Sequence, residues 1–224
     1  PDLIGNFDVI ALKITSDGNL VWQRTYASGE VVDPRGGMTI ASDGSVYLAG
    51  AIQTVKANRA DIAALIVKLS SNGELLFDKQ FDGRGGETAT GVAVAPDDGT
   101  VYVAGTTTTF GAGSQDAFVL HLPPTGKKLL DAFTCGGTGF EEGSGVGVIA
   151  GTIALSATTT NPPPYSLLNA SARLSAARGT LADVAGILTE PAGIPADPAA
   201  GAATPNGTTI FGGNFEAALV RIAR

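Results

Sequence analysis

Hydrophobic residues in this chain come in short runs rich in Val, Ile, Leu and Thr, and successive runs meet across tight polar turns. Asp17-Gly18, Asp43-Gly44, Asn72-Gly73, Asp98-Gly99 and Asn206-Gly207 mark five such turns. Asp-Gly or Asn-Gly between two β-prone runs is the strongest short-range hairpin signal. No segment sustains an apolar period of 3.6, and β-branched residues crowd the runs, so the pattern predicts an all-β chain.

The hairpins repeat. "DVIALKITSDGNLVW" at Asp8–Trp22 returns as "DIAALIVKLSSNGELLF" at Asp61–Phe77 and as "DAFVLHLPPTGKKLL" at Asp116–Leu130. A worn copy, "SARLSAARGTLADV", lies at Ser171–Val184, and "EAALVRI" at Glu216–Ile222 repeats the opening half. The turn glycines Gly18, Gly73, Gly126 and Gly179 lie 55, 53 and 53 residues apart. A second phrase is interleaved with the first: "TIASDGSVYLAG" to Gly50, "VAVAPDDGTVYVAG" to Gly105, "GVIAGTIALSA" to Ala157 and "GAATPNGTTIFGG" to Gly213. Each unit therefore holds four strands a, b, c and d in two hairpins, with boundaries near 1–35, 36–89, 90–144, 145–199 and 200–224 of one domain.

Repeats of this length signal solenoids or propellers. The c runs are apolar on both faces, as expected of a small sheet sandwiched between two neighbours. Four-stranded sheets packed face to face around an axis make a β-propeller. A β-solenoid is the alternative, but its turns are usually shorter and lack paired Asp-Gly hairpins. The strand-like runs exceed by one what four closed blades hold. The last run, "EAALVRIAR", has no vacant slot in such a ring, because the Asp17-Gly18 turn pairs the first c strand with its own d. The chain is thus expected to be part of a larger ring, processed or truncated, with exposed blade faces that need a partner. Trp22, Phe77 and Leu130, four residues after their turn glycines, are expected to pack between blades.

"DAFVLHL…TGKKLL" together with "GVAVAPDDGTVYVAGTTT" resembles the SBBP repeat, the seven-bladed β-propeller repeat, over nearly the whole chain. The fourth copy departs from it, with the proline-rich Thr189–Pro205 in place of a compact loop. The resemblance implies a propeller of the kind common in secreted or surface proteins. It implies no reaction, since the repeats share no catalytic motif.

Charge narrows the partners. A net charge of -7 and an isoelectric point near 4.6 would repel a phosphate backbone, which excludes nucleic acid as an expected partner. The 31 glycines and 12 prolines suit a turn-rich sheet protein, and no apolar run is long enough to span a membrane. These features fit an exported protein.

Catalytic constellations are missing from the sequence. The single histidine, His121, occupies the c-strand position held by Lys13, Lys68, Arg173 and Arg221, so it is a register residue before it is a base. That leaves no multi-histidine metal site and no persuasive triad. Cys135, the lone cysteine, has no disulfide partner and reads as a semi-buried thiol. "TSDGN" and "APDDGT" lack the alternating ligands and distal Glu of a calcium loop, and the glycine-rich "GRGGETATG" precedes no helix. The expected class is non-catalytic.

One acidic pattern stands out. Asp33, Glu87, Glu141 and Asp197 each stand five residues before the first residue of strand a. All four fall in d–a connections, on one rim beside the axial mouth. Either each carboxylate fixes its own loop by accepting N–H bonds, or together they form a negative collar for a basic partner or a cation such as calcium. The b–c and d–a loops should form a long-loop face, where Arg35, Arg59, Arg84, Phe110, Phe140 and Tyr165 are candidate binding residues. Asn169 and Asn206 carry N-glycosylation sequons. The leading expectation is an extracellular scaffold or protein-interaction module. A carbohydrate- or other ligand-binding propeller, with rim aromatics against glycans, is the alternative.

Overall fold

The computed structural model describes residues 8–26, 31–34, 36–56, 59–83, 85–111, 114–136, 139–149, 152–160, 166–170, 209–210 and 216–223. Among them every regular element is a strand, and every pairing within a sheet is antiparallel. Strands β1 (Val9–Ile14) and β2 (Leu20–Tyr26) form a first, two-stranded sheet. The second sheet contains β3 (Val31–Asp33), β4 (Met38–Ile40), β5 (Val46–Lys56), β6 (Arg59–Leu69) and β7 (Leu75–Phe81). Here the a strand is split into β3 and β4 by Pro34–Gly37, and both pieces pair with β5. The third sheet runs β8 (Glu87–Val94), β9 (Val101–Thr107), β10 (Asp116–Leu122) and β11 (Asp131–Gly136) in the order a-b-c-d. The fourth begins with β12 (Glu141–Ile149) and β13 (Thr152–Thr159). Strand β14 (Ser166–Ala170) returns to the outer edge of the third sheet beside β11. Strands β15 (Thr209–Ile210) and β16 (Glu216–Ala223) complete the fourth sheet in the order β12-β13-β16-β15.

The last c run is therefore not surplus. It pairs with β13 from Thr152↔Ala223 to Thr159↔Glu216 and takes the c slot of the fourth sheet. The worn copy at 171–184, which the repeat assigned to that slot, lies outside the described residues. The first b–c connection, at residues 52–60 and one of the expected long loops, is also mostly ladder: β5 and β6 stay paired out to Lys56↔Arg59. Ile52 is β-branched and fully buried on this hairpin.

The four sheets stack face to face in chain order. Val9 and Ala11 of the first sheet meet Leu65, Val67 and Leu69 of the second. The other face of the second sheet, with Tyr47, Ala49, Ala64, Ile66 and Phe81, meets Val101, Val103, Phe118, Leu120 and Leu122 of the third. Tyr102, Ala104, Ala117 and Val119 on the far face of the third sheet meet Ile153, Leu155 and Ala157 of the fourth. Two-sided burial is why β9 and β10 read as unbroken apolar runs instead of alternating.

A recurring contact fixes the stacking register. The c-strand lysines Lys13 and Lys68 donate to the carbonyls of Ser71 and Pro124, each two residues before the turn glycine of the next sheet, at 3.1 Å in both cases. Trp22 Nε1 donates to the same Ser71 carbonyl. The Trp22 ring covers Gly73, and the Phe77 ring covers Gly126 in the same way one sheet later. These glycines are doubly required. Their φ values are +80° and +63°, and a Cβ at either would meet the aromatic ring. Trp22 and Phe77 thus pack between sheets as the spacing predicts.

Leu130 does not. It is 52% exposed, whereas Leu129 is buried in the core between the second and third sheets. His121 pairs with Asp131 as Lys13 pairs with Trp22 and Lys68 with Phe77, but Asp131 stands five residues after its turn glycine where Trp22 and Phe77 stand four. Counting from the turn glycine therefore lands one residue off, and a one-residue slip turns the side chain to the other face.

Candidate functional site

Three of the four recurring acids lie in the described residues. Asp33 ends β3, while Glu87 and Glu141 open β8 and β12. Each stands opposite one residue of strand b: Ala51, Thr107 and Thr159 respectively. Asp33 is half-buried, but Glu87 and Glu141 are only 1% and 2% exposed. Glu87 and Glu141 are thus buried rather than forming a solvent-facing collar. Asp197 lies outside the described residues.

Around Glu87 the donors are specific. Its Oε2 accepts the Gly83 N–H at 2.6 Å, and its Oε1 accepts the hydroxyls of Thr107 at 3.0 Å and Thr109 at 2.6 Å. The Thr107 hydroxyl in turn accepts the N–H groups of Thr109 and Phe110. Burial pushes the Glu87 carboxyl above its ordinary range. Bonds from Thr109, Gly83 and Thr107 oppose that rise, and the nearby Asp82 adds to it. One carboxylate therefore ties the loop after β7 to the loop after β9.

A variant of this arrangement occupies the next sheet boundary. Glu141 Oε1 accepts the Thr159 hydroxyl at 2.8 Å. Asp116, which opens β10 and is 1% exposed, shares its surroundings with Glu141. A Cβ on Gly136 would collide with the carboxylates of both. That glycine is required by close approach. Cys135 lies beside the pair, buried, and its thiol is pushed up to about 12 by burial first and then by the charges of Glu141 and Asp116. Such a thiol stays protonated at neutral pH and is a poor nucleophile.

Thr107, Thr109, Thr159 and Asp116 had a signal in the sequence. The b strands end in "TTTT" and "ATTT", and each c copy opens with an acid at Asp8, Asp61 or Asp116. The pairing of acid with threonine runs across a hairpin between distant positions, so neither signal discloses it alone.

The remaining candidates separate. Phe110 is half-buried against the core between the second and third sheets. Phe140 is 37% exposed, and its N–H donates to the Thr160 hydroxyl at 3.1 Å. Arg35, Arg84, Tyr165 and the sequon residue Asn206 lie outside the described residues. Arg59 lies in β6 and Asn169 in β14. His121 stacks on Tyr102 with ring centroids 4.8 Å apart, in the place where Lys68 lies 4.9 Å over the Tyr47 ring. Among the described residues no three His, Cys, Asp or Glu side chains form a metal-holding group, and no helix is long and apolar enough to cross a membrane. No protein-family model and no curated protein matches the chain.

Proposed function

We propose that this chain is a segment of an exported β-propeller, akin to the SBBP repeat, that serves as a non-catalytic scaffold and interaction module. The carrying observation is the uncovered face of the first sheet. Ile10, Leu12, Ile14, Leu20 and Val21 are each at least 50% exposed. By strand register, Ile10, Leu12 and Ile14 correspond to Leu65, Val67 and Leu69, which the preceding sheet buries to 4% or less. The same positions that form an interface inside the molecule stand open at its end. An apolar patch of this kind marks an association surface.

The free edge of β1 supports the same reading. In the second and third sheets the c strand pairs with a b strand on one side and a d strand on the other. Among the described residues β1 pairs only with its d strand, β2. Unpaired N–H and C=O groups along such an edge accept a further strand. The occupant that fits both face and edge is another sheet of this repeat, and for the chain in isolation that is a sheet of a second copy. Sedimentation equilibrium tests this. Concentration-dependent association that Leu12→Lys abolishes is expected; a wild-type chain that stays monomeric at roughly 100 µM, a concentration giving about 5.5 kcal/mol of binding free energy at half-saturation, would refute it.

The buried acids fit a scaffold. Glu87 spends its oxygens on the Gly83 amide and the Thr107 and Thr109 hydroxyls, and Glu141 accepts the Thr159 hydroxyl. The Glu87 tie joins the loops after β7 and β9.

A further inference from the structure

A cavity of about 260 Å³ opens between the first and second sheets. Its floor is apolar, made by Val9, Ala11, Leu48 and Leu69, and its lining carries one cationic and one anionic side chain, Arg24 and Glu74. We propose that it binds a small zwitterion with a branched apolar side chain, of the type of a free aliphatic amino acid.

The repeat itself shows why the space is open. The next interface, between the second and third sheets, is built from equivalent positions and carries buried bulky side chains at two of them. Where the cavity has Ala11, that interface has Ile66, 1% exposed. Where the cavity has Leu75, 53% exposed, the corresponding residue counted back from the d strand is Leu129, turned inward and 1% exposed. A leucine side chain therefore occupies in one interface the volume that is vacant in the other. The cavity exceeds the roughly 150 Å³ apolar hole that suffices for benzene, so it admits a side chain of that size with its polar end at the mouth.

The polar end follows from the lining. The Arg24 guanidinium donates to the carbonyls of Gln23 and Asn72, the second bond being long at 3.4 Å. A guanidinium has five N–H donors, which leaves capacity for a carboxylate. Glu74 offers a carboxylate to an ammonium on the same rim. A ligand bearing only one charge would satisfy one of these groups and face the other with like charge or none. A zwitterion meets both, and an apolar floor with a few placed polar groups is the usual composition of a small-molecule site.

The test is an NMR titration of the ¹⁵N-labelled chain with three probes that share the same branched alkyl group: L-leucine, 4-methylpentanoate and 3-methylbutylamine. L-Leucine should shift the amides of Thr25, Gly73 and Glu74 saturably, with a Kd of about 1 mM. Each single-charge probe should bind about two- to fivefold more weakly, since one exposed ion pair is lost. Arg24→Gln should weaken L-leucine to the level of the amine, and Glu74→Gln to the level of the acid. Ala11→Ile, which installs the residue the next interface already carries, should keep the fold and abolish the shifts. The proposal is overturned if L-leucine gives no saturable shift at these amides at roughly ten times the expected Kd. It is equally overturned if folded Ala11→Ile binds as the wild type does, or if the acid binds as tightly as the zwitterion.

Discussion

Replacing Phe77 by alanine tests the stacking contact that recurs between sheets. Phe77 lies on β7 of the second sheet; its ring covers Gly126 of the third and meets Tyr47 edge to face at a centroid distance of 6.3 Å and an interplanar angle of 66°. Deleting a fully buried phenylalanine costs about 3–5 kcal/mol. Phe77 is only half-buried, so the area lost is roughly half of that, while the aromatic pair adds about 0.5–1.5 kcal/mol. The expected loss is about 2–4 kcal/mol, read as a lower urea midpoint with an unchanged slope. The neighbouring Leu76→Ala, at a position 53% exposed, should change stability by less than about 0.5 kcal/mol. The Gly126 contact adds a stricter check. Gly126→Ala should destabilise the wild type more than it destabilises Phe77→Ala, because the ring that its Cβ would strike is gone from the second background. A loss below about 1 kcal/mol for Phe77→Ala, or equal costs of Gly126→Ala in both backgrounds, would refute the inter-sheet role of the ring.

Other outcomes follow from the buried groups. Glu87 has its folded pKa raised, so its contribution is fully present below the ordinary carboxylate pKa and is lost as pH rises through the raised value. The melting temperature of wild type relative to Glu87→Gln should therefore fall as pH rises from about 4 towards neutrality, and a difference that grows with pH would contradict this. Cys135, with a thiol pKa near 12, should resist a thiol reagent in the folded chain at pH about 8 and react fully in denaturant. Rapid native labelling would place it at the surface. Lys68→Met should cost about 1 kcal/mol through the lost bond to the Pro124 carbonyl and the lost contact with Tyr47, which urea unfolding measures.

Local chemistry was legible in the sequence, and remote pairing was not. The Asp-Gly and Asn-Gly turns, the a-b and c-d hairpins and the doubly apolar b and c strands of the third sheet all follow from residues near one another. Leu130 shows where counting stops. Whether four or five residues separate the turn glycine from the d residue paired with His121, Lys68 or Lys13 decides which of two adjacent leucines faces the core, and the turn glycine does not carry that information. The destination of β16 illustrates the larger limit. Its partner β13 is far away in the chain, and two runs resembling strand c, at 171–184 and 216–222, compete on paper for one slot. The acids show a third limit. Their recurrence marks Asp33, Glu87 and Glu141 as equivalent, but the threonines that bury Glu87 and Glu141 come from another strand, so a surface collar and an internal tie read alike in one dimension.

Amide hydrogen exchange resolved by residue tests the central claim, that the sheets stack in chain order and leave the first one open. The third sheet is covered on both faces, with Val103, Ala104, Val119 and Leu120 each 2% exposed or less. Their amides should be the slowest in the molecule, opening only with global unfolding. Amides of β1 should exchange fastest among the strands in dilute solution and become protected at concentrations where the chain associates. A β1 as protected as β9 and β10 in the dilute monomer, or a third sheet that exchanges as fast as the first, would contradict the account.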